Sequence, residues 1–290
     1  SGTFVGRLAS TRAERKQVGA LVGPGAAAVS LPAVAEVDFV AGPAAELVVV
    51  DFPAEALAGE PFVLTVAALD ASGNPVSLAD RPVFVSLVAG PPGASLYGRN
   101  AVLDPAGTVS FPELMLTVAG EGYVLEVRAF GLPALTMPPL SILPNAPQTL
   151  RFLTQPGAVR AGQPFDPPVE LEVLDAHGNP TDGDQPVRLS LLGRPVDGTG
   201  LLGTWELLPV DGRARFGDLR PTLAGAAQVL QADCLGLPTT HSAPFSVLPG
   251  DPQTLVFVVQ PTDVDVGSAI TPAPRVEARD EYGNRSPGNG

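Results

Sequence analysis

One cysteine, Cys234, serves a chain of 290 residues, so no internal disulfide can form. Histidine is almost as scarce, with only His177 and His241. No Cys-rich or His-rich spacing exists that could hold zinc. The chain also lacks a Gly-x-Ser-x-Gly elbow, a phosphate-binding loop and a dinucleotide fingerprint. No segment reaches the roughly 18 apolar residues of a membrane span. The longest apolar stretch, residues 21–35, is broken by Pro24, Gly25 and Pro32. Positive charge is short as well: 17 Lys and Arg face 30 Asp and Glu, a formal net charge of -13. Such a chain repels phosphate backbones and anionic lipid, which argues against nucleic acid as a partner and against membrane insertion of this segment. The one basic cluster, Arg12, Arg15 and Lys16, is interrupted by Glu14 and reads as a solvated strand edge or loop. No secretory leader stands at Ser1.

What the chain has in plenty is glycine and proline, 32 and 33 residues, on a background that is 45% hydrophobic. Real cores can form, but long helices cannot survive that density of breakers. Many short strands joined by turns are expected, in two or three domains.

An internal repeat sets the organisation. Pro147-Gln-Thr-Leu-Arg-Phe-Leu-Thr-Gln-Pro156 returns as Pro252-Gln-Thr-Leu-Val-Phe-Val-Val-Gln-Pro261. Asp70-Ala-Ser-Gly-Asn-Pro75 returns at Asp175-Ala-His-Gly-Asn-Pro180 and again at Asp280-Glu-Tyr-Gly-Asn284, each time 105 residues on. Phe111 pairs with Phe216, Ala119-Gly120 with Ala224-Gly225, and Gly131-Leu-Pro133 with Gly236-Leu-Pro238. A unit of this length matches one sandwich domain of about 100 residues. The spacing predicts two complete units, 43–145 and 146–249. Residues 1–42 read as the closing strands of an earlier unit, and 250–290 as the opening strands of a further one.

Within a unit, Val169-Glu-Leu-Glu-Val173 alternates apolar and charged residues, which points Val169, Leu171 and Val173 into a core and both glutamates into water. Val187-Arg-Leu-Ser-Leu191 and Tyr123-Val-Leu-Glu-Val-Arg-Ala129 alternate likewise. Strands wet on one face belong to antiparallel sheets, and two such sheets make a sandwich of about seven strands. The recurring Asp-x-x-Gly-Asn follows the second strand. Gly and Asn tolerate positive φ and Asp accepts turn amides, so a structural turn is preferred to a ligand or catalytic carboxylate at Asp70, Asp175 and Asp280. Gly120-Glu-Gly-Tyr123 resembles a tyrosine corner, which the second unit lacks because Gln228 stands there.

The order of these features resembles the bacterial immunoglobulin-like domains of the invasin and intimin type, with some likeness to filamin repeats. The resemblance rests on Ala58-Gly59 or Ala161-Gly162 before the first alternating strand, then the Asp-x-x-Gly-Asn-Pro turn. It continues through Pro82-Val83 or Pro186-Val187, Gly107 or Gly212 leading to Phe111 or Phe216, and the Ala-Gly before the penultimate strand. It covers essentially the whole chain. It implies an all-β fold of tandem immunoglobulin-like antiparallel sandwiches in an exported stalk, fibre or adhesin at the bacterial cell surface. It carries no catalytic residues.

Candidate sites are few. Asp251, Asp263 and Asp265 lie near the last unit junction, where carboxylates can bind calcium, although the preceding unit has Ala158 and Arg160 at the Asp263 and Asp265 positions. Cys234 falls on an inward phase and reads as a buried, inert thiol. Alternation turns Phe84 outward, a possible ligand-binding feature, while Trp205 reads as a partly buried packing residue. His177 lies in a turn where the other units have Ser72 and Tyr282, which argues against a general base. Short Pro-containing linkers, Leu143-Pro-Asn-Ala-Pro147 and Leu248-Pro-Gly-Asp-Pro252, join the units stiffly. The partners expected are neighbouring immunoglobulin-like domains, of the same or adjacent chains. The two ends expose Leu21, Val29, Phe39, Leu255 and Phe257. They fit either a longer repeat protein or head-to-tail self-assembly in which the ends of successive copies complete one another.

Overall fold

The computed structural model describes residues 5–22, 29–79, 81–104 and 107–287; for 21, 22 and 29–33 it describes the backbone alone. Every regular element among them is a strand. The chain divides into two compact units, Ser1–Leu143 and Pro144–Gly290.

The first unit opens with an antiparallel pair, β1 (Arg15–Val22) and β2 (Val29–Asp38), with a register shift between Gly19 and Leu21. Of the basic cluster, Arg15 and Lys16 begin β1 and Arg12 precedes it; all three are exposed. Arg15 is exposed and pairs with Asp38 at 2.7 Å, and Lys16 pairs with Glu14 at 3.0 Å.

A sandwich follows, built from β3 (Ala44–Asp51), β4 (Glu55–Leu57), β5 (Phe62–Asp70), β6 (Pro75–Val76), β7 (Val83–Ala89) and β8 (Val102–Leu103). It is completed by β9 (Val109–Leu114), β10 (Gly120–Ala129), β11 (Leu135–Thr136) and β12 (Leu140–Leu143). One sheet runs β3-β5-β9-β8, with β6 beside β5; the other runs β11-β10-β12-β4, with β7 beside β10. The chain changes sheets between β3 and β4, at Phe52-Pro53, where proline has no N–H for a ladder. Beyond that step β4 pairs parallel with β12.

The second unit repeats this plan. Its strands are β13 (Thr149–Thr154), β14 (Val159–Arg160), β15 (Val169–Leu174), β16 (Val187–Leu191), β17 (Leu201–Leu202) and β18 (Glu206–Leu207). They continue as β19 (Arg213–Phe216), β20 (Arg220–Pro221), β21 (Gly225–Gln228), β22 (Leu230–Asp233), β23 (Thr240–His241) and β24 (Phe245–Leu248). The order β13-β15-β19 matches β3-β5-β9, and β14 pairs parallel with β24 as β4 does with β12. Both are immunoglobulin-like antiparallel β-sandwiches. The unit ends with the pair β25 (Thr254–Val259) and β26 (Arg275–Arg279).

Each sandwich has its own core. Leu64, Val66, Phe111, Tyr123, Leu125 and Leu140 fill the first; Val169, Leu171, Phe216, Leu189 and Leu230 fill the second. Phe111 and Phe216, the matched pair of the repeat, are both fully buried. The Tyr123 hydroxyl donates to the Val118 carbonyl at 2.5 Å, the tyrosine corner expected from the sequence. Its ring leaves no room at Gly90, where a Cβ would sit 2.8 Å from it.

Two expectations need correction. Glu172 does not face water: it is buried, with Arg151 2.5 Å and Arg213 3.4 Å from its carboxylate. It stands on the outer face as alternation requires, but β15 is the middle strand. Long arginine stems from β13 and β19 lie across it and exclude solvent. Phe39 is half-buried rather than exposed, whereas Leu255 and Phe257 are exposed as expected. The side chains of Leu21 and Val29 lie outside the described residues, as do 1–4 and 288–290 at the ends of the outer units.

Candidate functional site: the aspartate-asparagine junction

The three copies of Asp-x-x-Gly-Asn fold into one constellation. Asp70 ends β5, Asp175 and Asp280 directly follow β15 and β26, and each Gly has positive φ: 84° at Gly73, 83° at Gly178 and 81° at Gly283. The tight turn sends the chain back over the carboxylate. In the first copy, Asp70 Oδ1 accepts from the Ser72 and Asn74 N–H groups at 2.8 and 2.9 Å. In the second, Asp175 Oδ1 accepts from His177 and Asn179 at 2.8 and 2.9 Å. In the third, Asp280 Oδ1 accepts from Tyr282 and Asn284 at 3.0 and 2.8 Å.

The second oxygen reaches outside the turn. It accepts from the N–H of the linker residue that precedes the first strand: Gly42 at 2.8 Å, Asn145 at 3.0 Å and Gly250 at 2.8 Å. Thr181 and Ser286 donate their hydroxyls to the carbonyls of Asn145 and Gly250, closing the other side of the linker. All three aspartates are nearly fully buried, and the Asn side-chain amide donates to the same carboxylate in each.

The asparagines go further. Asn74 donates from Nδ2 to the Thr11 carbonyl at 2.9 Å and accepts from the Ala13 N–H at 2.8 Å. Asn284 does the same with the Thr222 carbonyl, 2.7 Å, and the Ala224 N–H, 2.9 Å. A side-chain amide has two N–H donors and a carbonyl acceptor; one N–H serves the aspartate, and the other N–H with the carbonyl oxygen presents a donor–acceptor pair as a peptide group does. Here it bridges residues two apart, in the manner of a missing strand. Each asparagine thus fastens its own repeat to the stretch of chain that precedes it.

These contacts set the electrostatics. The Asn74 side-chain amide, then the Asn74 and Gly42 N–H groups, hold the Asp70 carboxyl well below the ordinary carboxylate range against the opposing effect of burial. At Asp175 and Asp280 burial is the largest influence and pushes upward. The hydrogen bonds from Asn179 or Asn284 and from the linker N–H outweigh it, so both carboxyls are also lowered. A carboxylate has about four lone-pair sites, and these donors occupy them. A substrate proton or a cation would have to displace one of these donors.

The other candidates stand apart from this arrangement. Asp251 is exposed and lies 3.6 Å from Arg160; Asp263 and Asp265 are exposed on the loop between β25 and β26. No three Asp, Glu, His or Cys side chains gather as a metal-binding group among the described residues. A polar cleft of about 210 Å³ beside Asp280 is lined by Arg160, Gly162, Gln163, Asp251, Glu281 and Tyr282. Tyr282 closes it by lying on Gly162, where an added Cβ would be 2.4 Å from the phenol oxygen. His177 and His241 are exposed and 64 residues apart in sequence, on a turn and a short strand. Cys234 is buried; burial, first, raises its thiol above the ordinary range, and its sulfur lies 3.6 Å from the Gln185 carbonyl. Trp205 is half-buried against the second core, and Phe84 is 65% exposed.

The turn itself was legible in the sequence; the second half of its role was not. The turn needs positive φ only at Gly, and Asn74, Asn179 and Asn284 do not adopt it. Inside the turn each Asn serves as a side-chain donor to the aspartate, and at Asn74 and Asn284 it also reaches outside the turn. Thr-x-Ala recurs too, at Thr11, Thr117 and Thr222; folding brings Thr11 beside Asn74 and Thr222 beside Asn284.

No protein-family model matches the chain, and no curated protein is similar enough in sequence to match. Many solved structures are similar in part, these three among them. The Escherichia coli adhesin FdeC is 23% identical over 86% of this chain and 79% of its own, with a TM-score of 0.49. Domains 4–9 of the surface layer protein SbsC are 17% identical over 84% of this chain and 37% of their own, with a TM-score of 0.28. The Yersinia pseudotuberculosis adhesin InvE is 16% identical over 69% of this chain and 58% of its own, with a TM-score of 0.30.

Proposed function

We propose that this chain is a non-enzymatic segment of a stalk or fibre, part of a bacterial extracellular or cell-surface protein. One observation carries the reading. At Asn74 and Asn284 a buried turn ties each repeat to the chain before it, while the same turn's aspartate pins the intervening linker. Three directed hydrogen bonds at the Asn74 junction and four at the Asn284 junction restrict the torsional freedom that a hinge needs. Stiffness between consecutive repeats is what a spacer requires and what an enzyme site does not. Saturation of the buried carboxylates by donors supports the absence of catalysis in the same place.

Backbone ¹⁵N relaxation tests this. In the wild-type chain, residues 15–38 and the first sandwich are expected to tumble with one correlation time. In Asn74→Ala the hairpin should acquire a shorter one while the sandwich keeps its own. Independent tumbling in the wild type would remove the basis for a stalk, as would any turnover abolished by a single substitution in this chain.

A second reading, an adhesin module, is favoured by Phe84. It is 65% exposed on β7, where the second sandwich has Arg188. Loss of binding to a protein or glycan surface in Phe84→Ala, with the relaxation behaviour unchanged, would support it.

A further inference from the structure

The two sandwiches treat one strand edge differently. In the second, β16 is covered on both sides: β22 pairs with one edge and β18 with the other. Leu207 stands opposite Val187, Glu206 opposite Arg188, and the Leu189 N–H donates to the Trp205 carbonyl at 2.8 Å. A salt bridge between Arg188 and Glu206 adds charge to that edge. In the first sandwich the matching strand, β7, pairs only with β10 among the described residues. Its other edge has no counterpart of β18, because the chain after β7 crosses to pair β8 with β9 in the opposite sheet.

An open edge is a row of unpaired N–H and C=O groups, and proteins blunt such edges with charge, proline, bulges or a covering segment. Strand β7 reads Val-Phe-Val-Ser-Leu-Val-Ala, without a charged residue or a proline. Phe84 and Val88, 65% and 53% exposed, flank Ser86 on its outer face. By the match to Val187 and Leu189, the backbone groups of Val83, Val85 and Leu87 are those facing the open edge.

We propose that β7 is a lateral docking strand that pairs antiparallel with β7 of a second copy of this chain. The strand is complementary to itself. A two-fold axis at Ser86 sets Val85 opposite Leu87, both with edge-facing backbone groups, so the ladder is in phase. The same register sets Phe84 of each copy opposite Val88 of the other, twice over, on the outer face. Aromatic and β-branched residues directly across a ladder are a favourable pair. No like charges meet along the strand. An arginine at the Phe84 position, as in the second sandwich, would replace that aromatic partner by a cation facing the uncharged Val88. The contact is sideways, so it would bundle stalk segments and is independent of how one repeat follows another.

Sedimentation velocity on the 290-residue chain tests the proposal, from about 1 to 200 μM. The expected result is a monomer–dimer equilibrium that strengthens at high salt, since each chain carries a net charge of -13 and salt screens that repulsion. The double variant Phe84→Lys with Val88→Lys alters two exposed side chains. It should remain monomeric throughout, with an unchanged melting curve. Ser86→Cys should form a disulfide-linked dimer on mild oxidation, because the axis brings the two copies of residue 86 face to face. Val63→Cys, exposed on β5, should not. A wild-type chain that stays monomeric overturns the proposal. So does a dimer that survives the double lysine variant, or one that Ser86→Cys fails to link.

Discussion

At the scale of single residues, the junction aspartates determine how the protein responds to acid. Asp70, Asp175 and Asp280 all have lowered carboxyl pKa values in the folded chain. Their unfolded values lie near the ordinary 3.9 or so. Below that value the unfolded chain takes up protons that the folded one refuses, so stability rises with pH in that window. The stabilisation is therefore fully present at about pH 4.5 and above, and is lost as pH falls from about 4 through the folded values. Chemical denaturation at a series of pH values should show a steep loss of stability below about pH 4. Asp175→Ala should unfold about 3 kcal/mol more easily at pH 7, since it strands the Asn145, His177 and Asn179 N–H groups. It should also show a shallower acid limb. An equally steep limb in that variant would move the acid sensitivity elsewhere.

At the scale of elements, β10 and its counterpart in the second sandwich differ at a single strained residue. In the first sandwich β10 runs unbroken from Gly120 to Ala129; in the second the same stretch is split into β21 and β22. Gly122 has φ 74°, and its match Ala227 has φ 55°. Both sit in a register irregularity, Gly120/Tyr123 or Gly225/Gln228. A bulge there requires the left-handed region, which suits glycine and strains alanine. Ala227 is exposed, so its methyl group makes no core contact. Ala227→Gly should therefore stabilise the second sandwich by about 1 kcal/mol, read as a shift in the denaturation midpoint at constant slope. A loss of stability would show that the entropy of the unfolded chain outweighs the relief of strain. A hairpin turn nearby has no such conflict. Asp211 and Gly212 both have positive φ between the paired residues Val210 and Arg213, the geometry that Asp-Gly favours.

At the scale of the whole molecule, two separate cores predict two separable losses. Phe111 and Phe216 occupy matched positions, each fully buried in its own cluster. Phe111→Ala should cost about 4 kcal/mol in the unit Ser1–Leu143 and leave the transition of Pro144–Gly290 in place. Phe216→Ala should do the reverse. Tryptophan fluorescence offers a direct reading, because Trp205, the only tryptophan, packs against the second core. Its unfolding transition should move in Phe216→Ala and not in Phe111→Ala. Movement in both would mean that the two units unfold as one.

The period-two strands and the Gly-Asn turns were legible in the sequence because each is local, and the 105-residue repeat because those local signals recur in register. A strand's alternation and a turn's positive φ are settled by residues within a few positions of one another. The inward phase of Cys234, the outward phase of Phe84 and the tyrosine corner at Tyr123 followed from that register. Which residues meet across long sequence separations was decided only by folding. Alternation placed Glu172 correctly on an outer face, but Arg151 and Arg213, brought in by neighbouring strands, decided that the face is covered. Asp280 and Gly250 lie 30 residues apart, and Asn284 and Thr222 lie 62 apart. Separations of that length carry no local pattern from which a contact can be read, and only the folded strands between bring the two ends together. The open edge of β7 and the covered edge of β16 come from strands of similar pattern. The difference is the path of the next loop, which the tertiary structure alone determines.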